Sequence, residues 1–144
     1  MTISFYASGD PKPKGSMRGF VVSGRAIITD QKSTKSWEQA VRAHVAGLDF
    51  VRITGPVSVR LAFYMPMPQS RAPKPKSKDY WKRSPVPDGP PDIDKLARAI
   101  LDALNKVCFE DDSRVVDLHV TKRYSATQPG VQVEIMGLTP TEGE

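Results

Sequence analysis

The sequence predicts a single α/β (α+β) domain: a mixed β-sheet of about four to five strands, two main helices and one long basic loop. Three observations carry this. Val57, Val59, Leu61 and Phe63 alternate with Ser58, Arg60, Ala62 and Tyr64, the two-residue period of a half-buried strand. Two other stretches, from Trp37 to Leu48 and from Ile93 to Val107, repeat apolar residues at three- and four-residue spacing, the helical period. Between Met65 and Pro91 neither period survives. At 144 residues the chain is long enough for one hydrophobic core, so residues 1–144 read as one domain.

Each element has its own signal. Ile3, Phe5 and Ala7 alternate with Ser4 and Ser8, which predicts a first strand. Gly9, Pro11, Pro13 and Gly15 then forbid a regular element. Lys12, Lys14 and Arg18 make this stretch basic: either a solvated loop or an arm that lies on phosphates. Gly19 to Thr29 reads as a hairpin, with Phe20–Val22 and Ala26–Ile28 as its arms and Ser23-Gly24 as its turn. Asp30 or Ser33 can cap the helix that follows. Trp37, Ala40, Val41, His44, Val45 and Leu48 form its apolar stripe, to about Leu48. Trp37 reads as core rather than as a base-stacking platform. His44 has no neighbour that completes a metal site. Gly55-Pro56 breaks the chain before the strand at Val57.

The loop at 66–91 is unusual in composition. Met65 to Pro91 holds eight of the thirteen prolines, with six basic residues (Arg71, Lys74, Lys76, Lys78, Lys82 and Arg83) against Asp79 and Asp88. Proline stiffens it toward an extended form. Basic residues around Tyr80 and Trp81 suit a nucleic-acid backbone with occasional base stacking. The alternative is an insertion whose aromatics pack back on the core. Because the loop leads straight into the acidic motif, the functional reading is preferred.

Pro90-Pro91 disfavours helix before it, so the second helix starts near Asp92 or Ile93. Ile93, Leu96, Ala97, Ile100, Leu104 and Val107 form its apolar face. Asp94, Arg98 and Asn105 share another face, with Asp102 at its edge. Asp92 suits an N-cap and Asp94 a first-turn acid facing the helix dipole. Those roles do not extend to Glu110-Asp111-Asp112, which repel one another unless solvated or neutralised by a cation. Carboxylates at a helix start and on a neighbouring loop are what an oxygen-liganded Mg²⁺ needs. Val115 to Tyr124 and Val131 to Ile135 then alternate as two strands, joined by a turn at Ser125–Gly130. Lys122 and Arg123 either join the basic surface or form a solvated face. Thr139 to Glu144 (139–144) reads as a frayed acidic tail.

The totals limit the function classes. A net charge of +5 favours a polyanionic partner, which makes a local gathering of acids the more pointed. The single Cys108 rules out an intramolecular disulfide, and no Cys/His cluster has zinc spacing. Met1 to Ala7 lacks the basic region of a signal peptide. No apolar run approaches the roughly 20 residues of a membrane helix. The chain reads as soluble and cytoplasmic.

Asp92-Ile93-Asp94, Asp102-Ala103-Leu104 and Glu110-Asp111-Asp112 together resemble the RusA family of Holliday junction resolvases, the crossover junction endodeoxyribonucleases. Members carry an Asp-x-Asp pair opening a helix, an Asp-Ala-Leu at its far end and a Glu/Leu-Asp-Asp before a strand. The likeness extends weakly to Pro11–Arg18, the hairpin and the Trp37 helix. It implies a small homodimeric enzyme that binds four-way and other branched DNA and nicks two strands symmetrically with Mg²⁺, for which Mn²⁺ can substitute, in DNA recombination and repair. It implies metal ligation by Asp92, Asp94 and Asp112, with Asp111 sharing the role. Members occur in bacterial, prophage and phage genomes, which implies action in the cytoplasm of a bacterial host cell. The family pattern has Asn after the second Asp and a catalytic Lys three residues on; this chain has Lys95 and Arg98. Arginine can stabilise developing charge but cannot give up a proton near neutral pH. The predicted catalytic set is therefore Asp92, Asp94, Asp112, Arg98 and Lys95. The predicted DNA-binding set is Lys12, Lys14, Arg18, Arg71, Lys74, Lys76, Lys78, Lys82 and Arg83. Two other readings remain: a non-catalytic branched-DNA-binding protein on the same fold, and a metal-dependent enzyme acting on small phosphorylated substrates.

Overall fold

The computed structural model describes residues 1–14, 18–22, 25–29, 32–67 and 86–138, and side chains within these except 18–22, 25–29 and 32. The elements follow the expected order. They are β1 (Thr2–Ser8), β2 (Arg18–Val22), β3 (Arg25–Thr29), α1 (Lys32–Ala46), β4 (Val57–Met65), α2 (Ile93–Leu104), β5 (Val115–Tyr124) and β6 (Gly130–Gly137), with a 3₁₀ turn at Asp112–Arg114 before β5. Four strands form one mixed sheet in the order β1-β6-β4-β5, while β2 and β3 form a separate two-stranded sheet. β4 and β5 are parallel, and the other pairings are antiparallel. The fold is α+β, as the sequence predicts.

The parallel pair decides where Asp92 and Asp94 go. Parallel neighbours need a crossover, and here it is the segment from Pro66 to Arg114 carrying α2. The helix therefore starts at the carboxyl ends of β4 and β5 and runs back toward their amino ends. In such units ligands gather at the carboxyl ends of the strands, where a helix N-terminus also favours anions.

One face of the sheet carries the core. Val57, Val59, Leu61, Phe63 and Met65 of β4, Val131, Val133 and Ile135 of β6, and Ile3, Phe5 and Ala7 of β1 are all buried. They meet Trp37, Val41 and Val45 of α1 and Leu96, Ala99, Ile100, Ala103 and Leu104 of α2. Each large side chain buried this way stabilises the fold by about 1.5–3 kcal/mol. The opposite face, with Ser4, Arg60 and Glu134, is open to solvent, so the architecture is two-layered.

The buried stripes of both helices differ from those their periodicity suggests. Among the described side chains of α1, positions 34, 37, 38, 41 and 45 are buried; Ala40, His44 and Leu48 are exposed, and the helix stops at Ala46. On α2 Ile93 is 39% exposed, and Val107 lies beyond the helix end at Leu104. Ala99 and Ala103, absent from the predicted stripe, are buried instead. Ile93, the first helical residue, stays at the exposed start of α2. Trp37 is core, at 4% exposure. It packs on Gly9, whose φ of +143° admits glycine readily and where a Cβ would sit 2.8 Å from the indole ring.

Candidate active site

A groove of about 480 Å³ runs between α2 and β5. Its walls are Ile93, Asp94, Ala97, Arg98, Leu101 and Asp102 of α2, Asp112 of the 3₁₀ turn, and Leu118 and Val120 of β5. The helical residues share the groove because positions 94, 98 and 102 recur every four residues along one side. Leu118 and Val120 share it because alternate strand residues face the same way. Asp94 to Asp102 spans about 12 Å of helix axis, so the acids line a trough rather than meet at one point. Among the described residues no three His, Cys, Asp or Glu side chains converge closely enough to enclose a metal.

The acids have separate occupations. Asp92 is the N-cap residue of α2, but its carboxylate makes no capping hydrogen bond and lies 3.3 Å from Lys95 Nζ. Asp94 is exposed on the first turn and faces the groove. Asp102 pairs with Lys14 at 3.3 Å. Of the three adjacent acids, Glu110 accepts from the Gly55 amide at 2.7 Å. Asp111 caps the 3₁₀ turn by accepting from the Ser113 amide at 3.0 Å. Hydrogen bonding to Ser113, through side chain and backbone, holds the Asp111 carboxyl below the usual carboxylate range. Asp112 alone of the three lines the groove. Local capping and anchoring thus account for Glu110 and Asp111 without a cation.

The basic candidates also divide. Arg98 lines the groove, whereas Lys95 lies one turn back against Asp92. Lys12 pairs with Asp10 at 3.1 Å. Lys14 turns inward: its ammonium reaches Glu38 at 3.0 Å and Asp102 at 3.3 Å, and its amide donates to the Lys95 carbonyl at 2.9 Å. Arg18 lies on β2, where only the backbone is described. Arg71, Lys74, Lys76, Lys78, Lys82 and Arg83 lie outside the described residues, as do Tyr80, Trp81 and the tail at 139–144.

A profile of the endodeoxyribonuclease RusA family matches residues 9–136. The chain belongs to this family. As a RusA-family protein it is a DNA endonuclease by descent, and the matched span takes in every candidate side chain named above. It is also similar to an uncharacterized protein, YqaN, of Bacillus subtilis (strain 168), with 38% identity over 136 residues, 92% of this chain and 94% of that protein. Among the described residues, no helix is long and apolar enough to cross a membrane.

Sequence reasoning missed the supports of the RusA-family site. Glu38 is buried beside Trp37, and Arg42 donates to the carbonyls of Ala103 and Asp102 at 3.1 and 3.2 Å, satisfying the free C-terminal end of α2. Lys122 donates to the carbonyls of Gly89 and Pro91. An acid at position 38, between the buried positions 37 and 41, was the one available signal. Nothing in the sequence distinguishes Lys122 from an ordinary surface lysine.

Proposed function

We propose that this RusA-family protein is a structure-specific, Mg²⁺-dependent endonuclease that resolves Holliday junctions and related branched DNA by paired nicks, in recombination and repair. The observation that carries this is the open trough whose walls include Asp94 and Arg98 of α2 and Asp112 of the turn before β5. Its donors fit the cation: Mg²⁺ needs only one or two carboxylates, keeping waters and substrate phosphate for the rest of its shell. Asp92 and Asp94 at the head of α2 and Asp112 in the turn before β5 would hold one or two such ions, with Asp111 beside Asp112. When bound, the cation (Mg²⁺, or Mn²⁺ as a substitute) supplies Lewis-acid polarisation of the phosphodiester and a lowered pKa for its water.

The chain's own residues do the rest. Arg98 places a planar, permanently charged fork along the trough, suited to phosphoryl oxygens as negative charge builds on them. Lys95 holds the Asp92 carboxylate at 3.3 Å and so orients it. Lys12, Arg18 and the basic residues of the loop at 66–91 follow the DNA backbone, so binding depends on junction shape more than on sequence. Two nicks need two sites, which a two-fold homodimer supplies. β5 is an edge strand of the four-stranded sheet, with Val116 65% exposed, and so offers a second copy a surface to meet. The reading places the enzyme in the cytoplasm of a bacterial host, as a cellular, prophage or phage product.

The test is nicking of a synthetic four-way junction with and without Mg²⁺, by wild type and Asp94→Asn. Metal-dependent paired nicks by wild type, lost in Asp94→Asn with junction binding retained, are expected. Tight junction binding without cleavage leaves the non-catalytic binding protein. Absence of junction binding at low salt leaves the enzyme of small phosphorylated substrates.

A further inference from the structure

Lys122 stands where β5 passes the start of α2. Its ammonium donates to the Gly89 carbonyl at 2.8 Å and to the Pro91 carbonyl at 2.7 Å. The segment it grips has a particular need. Pro90 and Pro91 have no N–H, so this stretch accepts hydrogen bonds more readily than it donates them, and it forms no ladder with a neighbour. The next residue is Asp92, and Asp94 follows two positions on. Along β5, Leu118 and Val120 line the trough, and Lys122 is the next residue on that same face. The lysine therefore spans from the sheet to the backbone that delivers the two acids.

We infer that Lys122 is a positioning residue: by gripping the carbonyls of Gly89 and Pro91 it fixes the start of α2 against β5, and so sets where Asp92 and Asp94 stand relative to Asp112. This rests on the proposed metal-dependent function. It makes Lys122 a support of the site rather than part of the basic DNA-contacting surface. The geometry also explains the residue type. A long flexible stem with three donors can satisfy two divergent carbonyls from one half-buried point. Methionine keeps the stem and loses both bonds, whereas arginine keeps donors and charge.

The experiment compares Lys122→Met and Lys122→Arg with wild type in the full chain. Mn²⁺ binding is measured by titration calorimetry without DNA. Amide hydrogen exchange is measured without metal, and junction affinity in EDTA. Lys122→Met is expected to weaken Mn²⁺ binding about tenfold or more, the size seen when outer supports of metal ligands are removed. It is also expected to speed exchange over residues 92–96 while the amides of β4 and β6 stay protected, and to leave junction affinity in EDTA unchanged. Lys122→Arg is expected to recover most of the Mn²⁺ affinity. Unchanged exchange over 92–96 with unchanged Mn²⁺ affinity overturns the inference. So does a roughly tenfold or greater loss of junction affinity in EDTA, which marks a phosphate contact. Lost protection across β4 and β6 also overturns it, because the residue then serves the whole fold. If wild type binds no Mn²⁺, the metal-dependent function fails, while faster exchange over 92–96 in Lys122→Met still separates that failure from failure of the positioning role.

Discussion

Lys14 Nζ lies 3.0 Å from Glu38 Oε1, joining the stretch after β1 to the buried side of α1. The Glu38 side chain is only 7% exposed, so Lys14→Met strands a carboxylate with little water. The expected cost is about 1–3 kcal/mol, toward the low end because Lys14 itself is partly solvated. Urea unfolding measures it. The hydrogen bond to Glu38, with Asp102 assisting, raises the Lys14 pKa above its ordinary value. A raised cation stabilises the fold at all pH below its unfolded value, and the contribution disappears only as pH climbs past the folded one. The difference between wild type and Lys14→Met is therefore flat through neutral pH and shrinks in strong alkali.

Arg98→Ala is expected to lower nicking about 10²–10³-fold at saturating junction, the usual cost of deleting a charge-stabilising donor. Arg98→Lys keeps the charge, loses the fork, and falls between the two. Mn²⁺ affinity stays at the wild-type value in both. Near wild-type turnover by Arg98→Ala in single-turnover assays would remove Arg98 from the catalytic set.

Cys108 is buried, and burial pushes its thiol up to about 11. At neutral pH it is protonated as well as inaccessible. Native protein is expected to resist iodoacetamide and to react promptly once unfolded, as followed by mass spectrometry. Cys108→Ser places a hydroxyl among apolar atoms and is expected to destabilise by about 1–3 kcal/mol.

Gly130 opens β6 opposite Ser8 of β1. A Cβ there would lie 2.5 Å from the Ala7 carbonyl oxygen and 2.8 Å from the Tyr6 ring. Gly130→Ala must therefore spread the β1–β6 pair and is expected to cost about 1–3 kcal/mol in urea unfolding. A neutral result would mean that the strands separate freely at this end.

The fold was legible wherever one local period met one buried face. β4 alternates because one side is core, and Pro90-Pro91 marks the start of α2 because proline limits what precedes it. The run Val115, Val116, Leu118, Val120 marked a strand, but its place at the sheet edge follows from long-range pairing that no local pattern encodes. Asp94, Arg98 and Asp102 were legible as neighbours from helical geometry alone. Asn105, expected beside them, falls outside because the helix ends at Leu104 and Asn105 instead bridges to Phe109. Lys14 and Lys122 look like surface charge in the sequence, and their inward directions are set by tertiary contacts.

Glu110, Asp111 and Asp112 are consecutive, yet the first anchors Gly55, the second caps a turn, and the third faces the trough. Selection can act on each separately. A lineage that lost the side chain at 112 would keep its anchor, its cap and its sheet, and would pass on a folded protein with the proposed chemistry removed. A lineage that lost 110 or 111 would forfeit local structure first. Inactive but intact descendants of this fold are thus one substitution away, and the identity of residue 112 is where a survey of relatives would find them.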